Sequence, residues 1–581
     1  MNELLNTEAE ELGLRQSQRH VRKQSGGDLS STSEDETETI SVHIQCKIEN
    51  SDDLLRLCGD SGVWQVLIFI LGSFCGLNCS IQNFLYIFIS DTTDYWCTFP
   101  EVDKDRYTDK ELKTMLLPRD SGANFEKCSR YSSDVSNGTI VSIHRTIIEK
   151  CNTETIPVQY EGGEFVETIG SEWSLVCEEA YWLPAVEATY MVGVLVGSIV
   201  FGMLSDKLGR RFTIWISTFM FVFFSPLVAL STNFVSLLIF RFCLGIASPG
   251  VYSTSYVLVV ESIGSHRRGL AGSLYSIPYS AGYMILPIIA YFVREWRNLQ
   301  LTCAALSPLM ILTWWYLEES PRWLLLKGKV AESETLFREI ARVNGKELPK
   351  DFHALVKKVA YAERESKYEI TCDQRCRNCT TAVCKLIHTP VLRFRVFCMS
   401  IAFLAISLVY YGIAIDPTNL GFDRYLFAFL CGLFEIPAEI IVASLIDRSG
   451  RKPVFAGFFV TCGSMIFLSF ALPRGSIGDV VLFVAAQLFI SGNSTLIYLY
   501  SAELFPTEIR GYCLGISSMV GRTGSIAVPY IVELVGEKHH TYPTIIFGSA
   551  ALIAGALALC LPETRNKKLP DTVVEVESCR R

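Results

Sequence analysis

Apolar runs of roughly 20 residues recur along this chain, which is the length of helix needed to cross the hydrocarbon of a bilayer. In the first half they fall at 64–89, 181–203, 212–231, 234–259, 270–292 and 299–317. In the second half they fall at 393–413, 424–446, 453–472, 479–500, 512–535 and 543–561. A backbone in hydrocarbon must satisfy its own polar groups, and a helix does so within one segment. Twelve such runs therefore predict an all-α membrane protein of twelve transmembrane helices, numbered here as spans 1 to 12. Composition agrees: 50% of residues are apolar, 19% are charged and the mean hydropathy is +0.29, too oily for an ordinary soluble enzyme. The net charge of −8 gives no sign of a nucleic-acid partner, because much of the acid sits in soluble segments.

Basic residues set the expected orientation. Lys207, Arg210 and Arg211 follow span 2, and His266, Arg267 and Arg268 follow span 4. Arg448, Arg451 and Lys452 follow span 8, and Arg565, Lys567 and Lys568 follow span 12. All fall on one side if both termini are cytoplasmic; Arg294 and Arg297 are a mild exception. The expected organisation is a tail at 1–62, a six-helix half at 63–317 with an extracellular loop at 90–180, and a cytoplasmic loop at 318–392. A second six-helix half at 393–561 and a tail at 562–581 follow. No cleavable signal peptide is visible, so span 1 is expected to act as its own insertion signal. The acidic stretch SSTSEDETET (30–39) reads as disordered, with Ser33 either a kinase site or part of a plain solvated tail.

The outer loop holds Cys97, Cys128, Cys151 and Cys177, an even number in an oxidising compartment, so two disulfides are expected with three pairings open. Its sequon at Asn137 is expected to be glycosylated. The sequons at Asn78, Asn378 and Asn493 fall in spans or in the cytoplasm and are expected to stay unmodified. The inner loop carries a helical portion at about 329–364 and then Cys372, Cys376, Cys379 and Cys384. That loose spacing is compatible with zinc or palmitate, but ordinary reduced cysteines are the simpler reading, and no metal site is assigned.

An internal repeat runs through the chain. Asp206 in GMLSDKLGRRF and Asp447 in ASLIDRSGRKPV lie 241 positions apart. Glu261 in VESIGSHRRGLAG and Glu503 in YSAELFPTEIRG lie 242 apart, and the arginines of EESPR and LPETR lie 243 apart. One shared offset implies two six-span halves related by duplication, as in transporters. Asp206, Arg210, Glu261 and Arg268, with their counterparts Asp447, Arg451, Glu503 and Arg510, are read as gating salt bridges that break and reform as the halves rock. A permanent brace is the plainer alternative.

The segments IGSEWSLVCEEAYW, WYLEESPRWLLLKGK, YSAELFPTEIRG and LPETRNKKLPDT resemble the organic cation/anion/carnitine transporter family of the major facilitator superfamily. The resemblance runs from about Gly59 to Val576. It implies the major facilitator fold and movement of small organic ions across the plasma membrane by alternating access. It does not name the cargo.

Buried charge bears on cargo. Arg522 lies 11 residues into span 11, roughly 16 Å deep, and a charge at that depth demands compensation. Glu435 and Glu439 of span 8 lie at a similar depth, roughly 18 and 12 Å from Asp447, one helical turn apart with Pro437 between them. Either these three groups form a resident salt bridge, or they form a divided pocket. In the second case Arg522 takes a carboxylate and a glutamate takes an ammonium, with one glutamate resting against Arg522 when the site is empty. By the family resemblance, cation carriers place an aspartate at position 522, whereas anion and carnitine carriers place an arginine there. Anion carriers tend to a lysine at position 439. The combination here suits a zwitterion: carnitine, other betaines or β-alanine, with carcinine weakest for want of a carboxylate.

Tyr252 and Tyr256 in span 4, Tyr275, Tyr279 and Tyr283 in span 5, and Phe403 and Tyr410 in span 7 form stripes that either face a cavity and cradle an ammonium or simply pack between helices. Tyr252, Tyr279, Phe403 and Tyr410 resemble aromatic cavity positions of the family. Glu187 and Arg241 are expected to form a structural ion pair. The functional expectation is a secondary or facilitative carrier of zwitterions or cations. An organic cation carrier, an organic anion carrier and a non-transporting receptor-like member are the alternatives. Coupling to Na⁺ or H⁺ is left open. No nucleotide loop, zincin helix or nucleophile motif is present, so neither an enzyme nor a cofactor is expected.

Overall fold

The structure is a computed structural model that describes residues 50–565 and 576, apart from 91–94, 98–101, 103–106, 120–124, 137–138, 152–157, 161–166, 376–388, 416–422, 474, 507–508 and 537–540. Spans 1 to 4 are Val63–Ile89, Leu183–Leu208, Arg210–Ala229 and Phe234–Ser262. Spans 7 to 10 are Pro390–Ile415, Arg424–Ser449, Arg451–Leu468 and Ile477–Leu504, and span 12 is Thr541–Leu559. Among the described residues nine helices are long and apolar enough to cross a membrane. The other three predicted spans are present in altered form.

Span 5 is split into Arg268–Leu274 and Ile277–Phe292, and span 6 into Trp296–Ala304, Ser307–Leu312 and Thr313–Tyr316. Proline explains both breaks. Pro278 has no N–H to give to the carbonyl of Leu274, and Pro308 has none for Ala304, and in each case the helix stops at that residue. Span 11, Arg510–Tyr530, is continuous but rich in Gly and Ser and carries Arg522, so it falls short on hydropathy.

Close helix packing uses small residues where apolar burial supplies no drive between helices in lipid. A Cβ on Gly193 or Gly197 of span 2 would stand 2.4 Å from the carbonyl of Phe242 or 2.1 Å from that of Ile246. Gly245 of span 4 approaches the carbonyl of Tyr190 in the same way, so spans 2 and 4 touch backbone to backbone. In the second half Gly521 and Gly524 seat span 11 against Phe403 and Leu404 of span 7.

One end of the bundle carries the 90–180 segment. There Tyr95–Cys97 pairs with Val158–Tyr160, Ser129–Ser136 pairs with Thr139–Lys150, and both pairs are antiparallel. A small core of Trp96, Val102, Leu112 and Leu116 lies beneath them. The cysteines join as Cys97–Cys151 and Cys128–Cys177, which selects one of the three pairings. Asn137 lies outside the described residues. Asn78 and Asn493 are buried inside spans, consistent with sequons that no glycan reaches. Cys128→Ser is expected to destabilise this segment by about 2–5 kcal/mol, read as lost surface expression and faster proteolysis of intact cells.

The opposite end carries helices Pro321–Lys327, Val330–Val343 and Phe352–Arg375. The tail expected at 1–62 is not uniform. Residues Ser51–Cys58 form a helix whose Leu54, Leu55 and Cys58 pack with Trp64, Phe337, Ile340 and Val356 in a separate apolar core. Its polar face is tied as well: Arg268 Nη2 donates to Asp52 Oδ1 at 2.7 Å, and the Ser51 N–H donates to Glu363 Oε1 at 3.0 Å. The hydrophilic character of the tail as a whole concealed this short amphipathic turn. Ser33 and Cys376, Cys379 and Cys384 lie outside the described residues, and so does the side chain of Cys372.

Candidate functional site

The duplicated motifs fold into duplicate latches. In the first half Arg210 Nη2 and Nε lie 3.0 Å from the two carboxylate oxygens of Glu261, and Nη2 lies 3.3 Å from Asp206. In the second half Arg451 Nε donates to both oxygens of Glu503 at 3.2 and 3.1 Å. Each arginine also donates from Nη1 to a carbonyl five residues back, Ser205 or Ile446.

Glu319 and Glu563, which the sequence reading left unassigned, complete the symmetry. Glu319 accepts from the backbone N–H groups of Arg210 and Arg211, and Glu563 accepts from those of Arg451 and Lys452. Each carboxylate thus caps the positive end of a span whose first N–H groups have no helical partner. The preceding Gly209 and Gly450 adopt φ of 106° and 93°, which lets the chain turn into that cap. Burial pushes the Glu563 carboxyl up, but the N–H groups of Arg565, Arg451, Lys452 and Thr564 outweigh this and hold it below the usual range.

Two expected latch members stand elsewhere. Arg268 engages Asp52 rather than Glu261, and Arg510 Nε donates to the carbonyl of Phe505. The side chain of Asp447 lies outside the described residues. The latches join groups within one half, so the sequence motif alone could not tell a brace from a gate.

The buried pair expected between spans 2 and 4 is present. Arg241 Nη2 lies 2.7 Å from Glu187 Oε2, with both side chains almost wholly buried, and the guanidinium also stands 5.0 Å from the ring centre of Tyr190.

At mid-depth, span 8 presents its two glutamates in different settings. Ser280 Oγ donates to Glu435 Oε2 at 2.9 Å and Gln487 Nε2 donates to Glu435 Oε1 at 3.2 Å; Tyr410 is a third hydrogen-bond partner. Ser280 belongs to span 5, so this bond joins the two halves. Thr495 Oγ1 donates to Glu439 Oε1 at 2.7 Å, whereas Glu439 Oε2 is buried without a partner.

Arg522 sits on span 11 half-buried among the hydroxyls of Tyr498, Tyr411 and Tyr279. Among the described residues it pairs with no carboxylate. Neither the resident salt bridge to span 8 nor the resting contact with a glutamate is formed.

Aromatic side chains connect the two regions. Asn83 Nδ2 donates to Tyr279 Oη at 2.9 Å and to Tyr411 Oη at 3.4 Å, bridging the halves. Tyr252 packs on Tyr279 at 5.3 Å, Tyr410 on Tyr411 at 5.3 Å and Phe403 on Tyr498 at 5.4 Å, measured between ring centres. Phe84 meets both Tyr279 and Tyr410, so Tyr252, Tyr279 and Tyr410 belong to one aromatic group, and Phe403 joins Tyr498. Tyr256 is 39% exposed and packs on Tyr275, as Tyr252 also does. Tyr275 and Tyr283 are fully buried, with Tyr283 stacked on Phe84, so the span 5 stripe is mostly packing.

Sequence reasoning missed Asn83, Ser280, Tyr411, Gln487, Thr495 and Tyr498. Asn83 and Gln487 were legible as polar anomalies in apolar spans; the others carry no local signal.

At the disulfide-bearing end the halves are in contact. The Tyr86 hydroxyl donates to Glu533, Phe88 stacks on Tyr425 at 5.6 Å, and Tyr291 meets the same ring edge-on at 5.6 Å. Toward the latch end, Tyr256 of one half and Tyr498 of the other are 39% and 47% exposed. The arrangement is a central polar and aromatic site closed at one end by contacts between halves.

Comparison with known proteins agrees with this architecture. The profile of the family described as "Sugar (and other) transporter" matches residues 131–573. The "Organic cation transporter protein" of Drosophila melanogaster is 31% identical over 534 residues, covering 91% of this chain and 94% of the relative. "Solute carrier family 22 member 6" of Danio rerio is 31% identical over 537 residues, covering 90% and 94%. The human "Organic cation/carnitine transporter 2" is 29% identical over 538 residues, covering 90% and 93%. Among solved structures, the inward open xylose transporter XylE from E. coli has a TM-score of 0.58 at 16% identity, covering 89% of this chain and 99% of that one, a likeness of fold alone. The relatives are transporters and not enzymes, and the chain belongs to the organic cation, anion and carnitine transporters of solute carrier family 22, within the major facilitator superfamily.

Proposed function

We propose that this chain carries small organic zwitterions and cations of the carnitine, betaine or β-alanine kind across the plasma membrane. The carrier alternates access to one central site, and both termini lie in the cytoplasm. The observation that carries the reading is the guanidinium of Arg522 at mid-membrane, ringed by tyrosine hydroxyls and lacking a carboxylate partner among the described residues. A permanent cation in that position is costly unless an anion visits it, and arginine cannot lose its proton to escape the cost. A substrate carboxylate is such an anion, because its two oxygens match the donor fork of a guanidinium.

The other end of the cargo meets the opposite chemistry. Glu435 and Glu439 supply negative charge from span 8, and Tyr252, Tyr279 and Tyr410 supply ring faces for an alkylated ammonium. A cargo with one charge leaves one end of the pocket unanswered. The relatives' names span organic cations and carnitine, a range into which this mixed pocket falls.

Alternation follows from the two-half construction. Contacts at the disulfide-bearing end close the site on that side, and rocking of the halves exchanges them for contacts at the other. The test is an uptake panel in cells expressing the chain: labelled carnitine, a quaternary ammonium and a dicarboxylate, each with and without sodium. Carnitine uptake well above both others is expected. Preference for the dicarboxylate or the simple cation would replace the reading with a single-charge carrier.

A further inference from the structure

We infer that Glu439 carries the proton that this carrier exchanges for the cationic group of its cargo. The inference rests on the proposed central site and gives it an energy source. Its ground is the difference between two carboxylates one helical turn apart. Glu435 is surrounded by donors: Ser280 and Gln487 reach its two oxygens at 2.9 and 3.2 Å, and Tyr410 adds a third bond. That solvation sustains a negative charge. Glu439 has one donor, Thr495, on one oxygen, and its Oε2 is buried with nothing to accept from. Its side chain is only 5% exposed.

The remaining neighbours supply no compensating charge. On its own helix the facing ionisable group is Glu435, a like charge. Span 4 contributes Tyr252, and span 10 contributes Tyr498, one turn beyond Thr495. The arginines carried by the neighbouring first piece of span 5 and by span 9, Arg268 and Arg451, are engaged elsewhere, by Asp52 and Glu503. A bare carboxylate oxygen in such a place is uncompensated, so a positive species must occupy it: a proton when the site is empty, the ammonium of the cargo when it is filled.

The cycle balances with one O–H bond broken and one made. The arriving cation displaces the Glu439 proton to water on the side from which it enters. After the halves rock and the cation leaves, Glu439 takes a proton from water on the far side. One cationic group moves one way for each proton moved the other. Cargo and proton share a single carboxylate and cannot ride together.

The test uses the purified full-length protein in liposomes with the potential clamped by potassium and valinomycin, and labelled carnitine as the probe. An interior one pH unit more acidic than the bath is expected to concentrate carnitine by up to about tenfold in the wild type. Glu439→Gln should lose that concentration while retaining carnitine–carnitine exchange at saturating substrate with a raised KM, because exchange moves no net proton. Glu435→Gln, which also alters the proposed site, should raise the KM for carnitine, yet the carnitine it does carry should still be concentrated by the gradient. As a second measurement, carnitine added to detergent-solubilised protein in weak buffer should release about one proton per molecule bound, and none in Glu439→Gln.

A wild type indifferent to the gradient, or Glu439→Gln that still concentrates carnitine, would overturn the inference. So would a response lost in Glu435→Gln and kept in Glu439→Gln. Arg522→Ala in the same vesicles separates this from the cargo assignment: undiminished carnitine uptake there faults the two-ended pocket and leaves the proton result standing.

Discussion

Arg522→Asp is expected to lower kcat/KM for carnitine by about 100-fold or more while raising uptake of a simple quaternary ammonium. The loss follows from the removal of a charge-assisted, two-pronged contact with the substrate carboxylate, about 1.5–3 kcal/mol, and from a new repulsion of similar size. A 100-fold change corresponds to about 2.7 kcal/mol, just under the low end of that combined range, so it is the smallest loss expected. The gain for a cation follows because the replacement adds a carboxylate to a site already lined by tyrosine rings. Arg522→Ala should show the loss without the gain, since it removes the donor and adds no charge. Labelled uptake normalised to surface protein checks both. Zwitterion uptake that survives Arg522→Ala undiminished would end the two-ended pocket.

Glu187→Leu is the second large effect, and it concerns folding. The Glu187–Arg241 pair is buried between spans 2 and 4, where the backbones touch at Gly193, Gly197 and Gly245. Removing one partner strands the other charge, which costs about 3–5 kcal/mol. The expected outcome is a strong fall in folded, surface-exposed carrier and in thermal stability in detergent. The double variant Glu187→Leu, Arg241→Leu should recover most of that stability, because no charge is then stranded. Recovery of folding without recovery of transport would move the pair from architecture into the transport cycle.

The spans, the duplication and the four outer cysteines were legible because each leaves a periodic or countable trace in one dimension. The spans written as breaks were legible only in part: Pro278 and Pro308 mark where helices stop, but hydropathy averages over them. Disulfide pairing was not legible, because residues 49 and 54 positions apart become neighbours only through the sheet pairings of the loop. The same reason hid Glu319 and Glu563. Each caps a helix whose first residue lies about 110 positions earlier, and nothing local in EESPR or LPETR announces it. Arg522, Glu435 and Glu439 announced themselves as charges in oil, but their partners did not. Ser280, Thr495 and Tyr498 are ordinary residues whose positions matter only once five helices converge. Arg297, an outlier in the charge bias, proved to be engaged by Glu172 and by the carbonyls of Ala229 and Ser231.

The docked helix Ser51–Cys58 has a mechanical consequence. It is anchored to the opening of span 1 and to the span 4–5 turn through Arg268, both in the first half, and to the helices that follow span 6. Among the described residues, this helix is thereby coupled to the first half and the inner helices. A dye placed on that helix and a second dye on span 12 would give a distance that changes with the cargo if the halves rock as proposed.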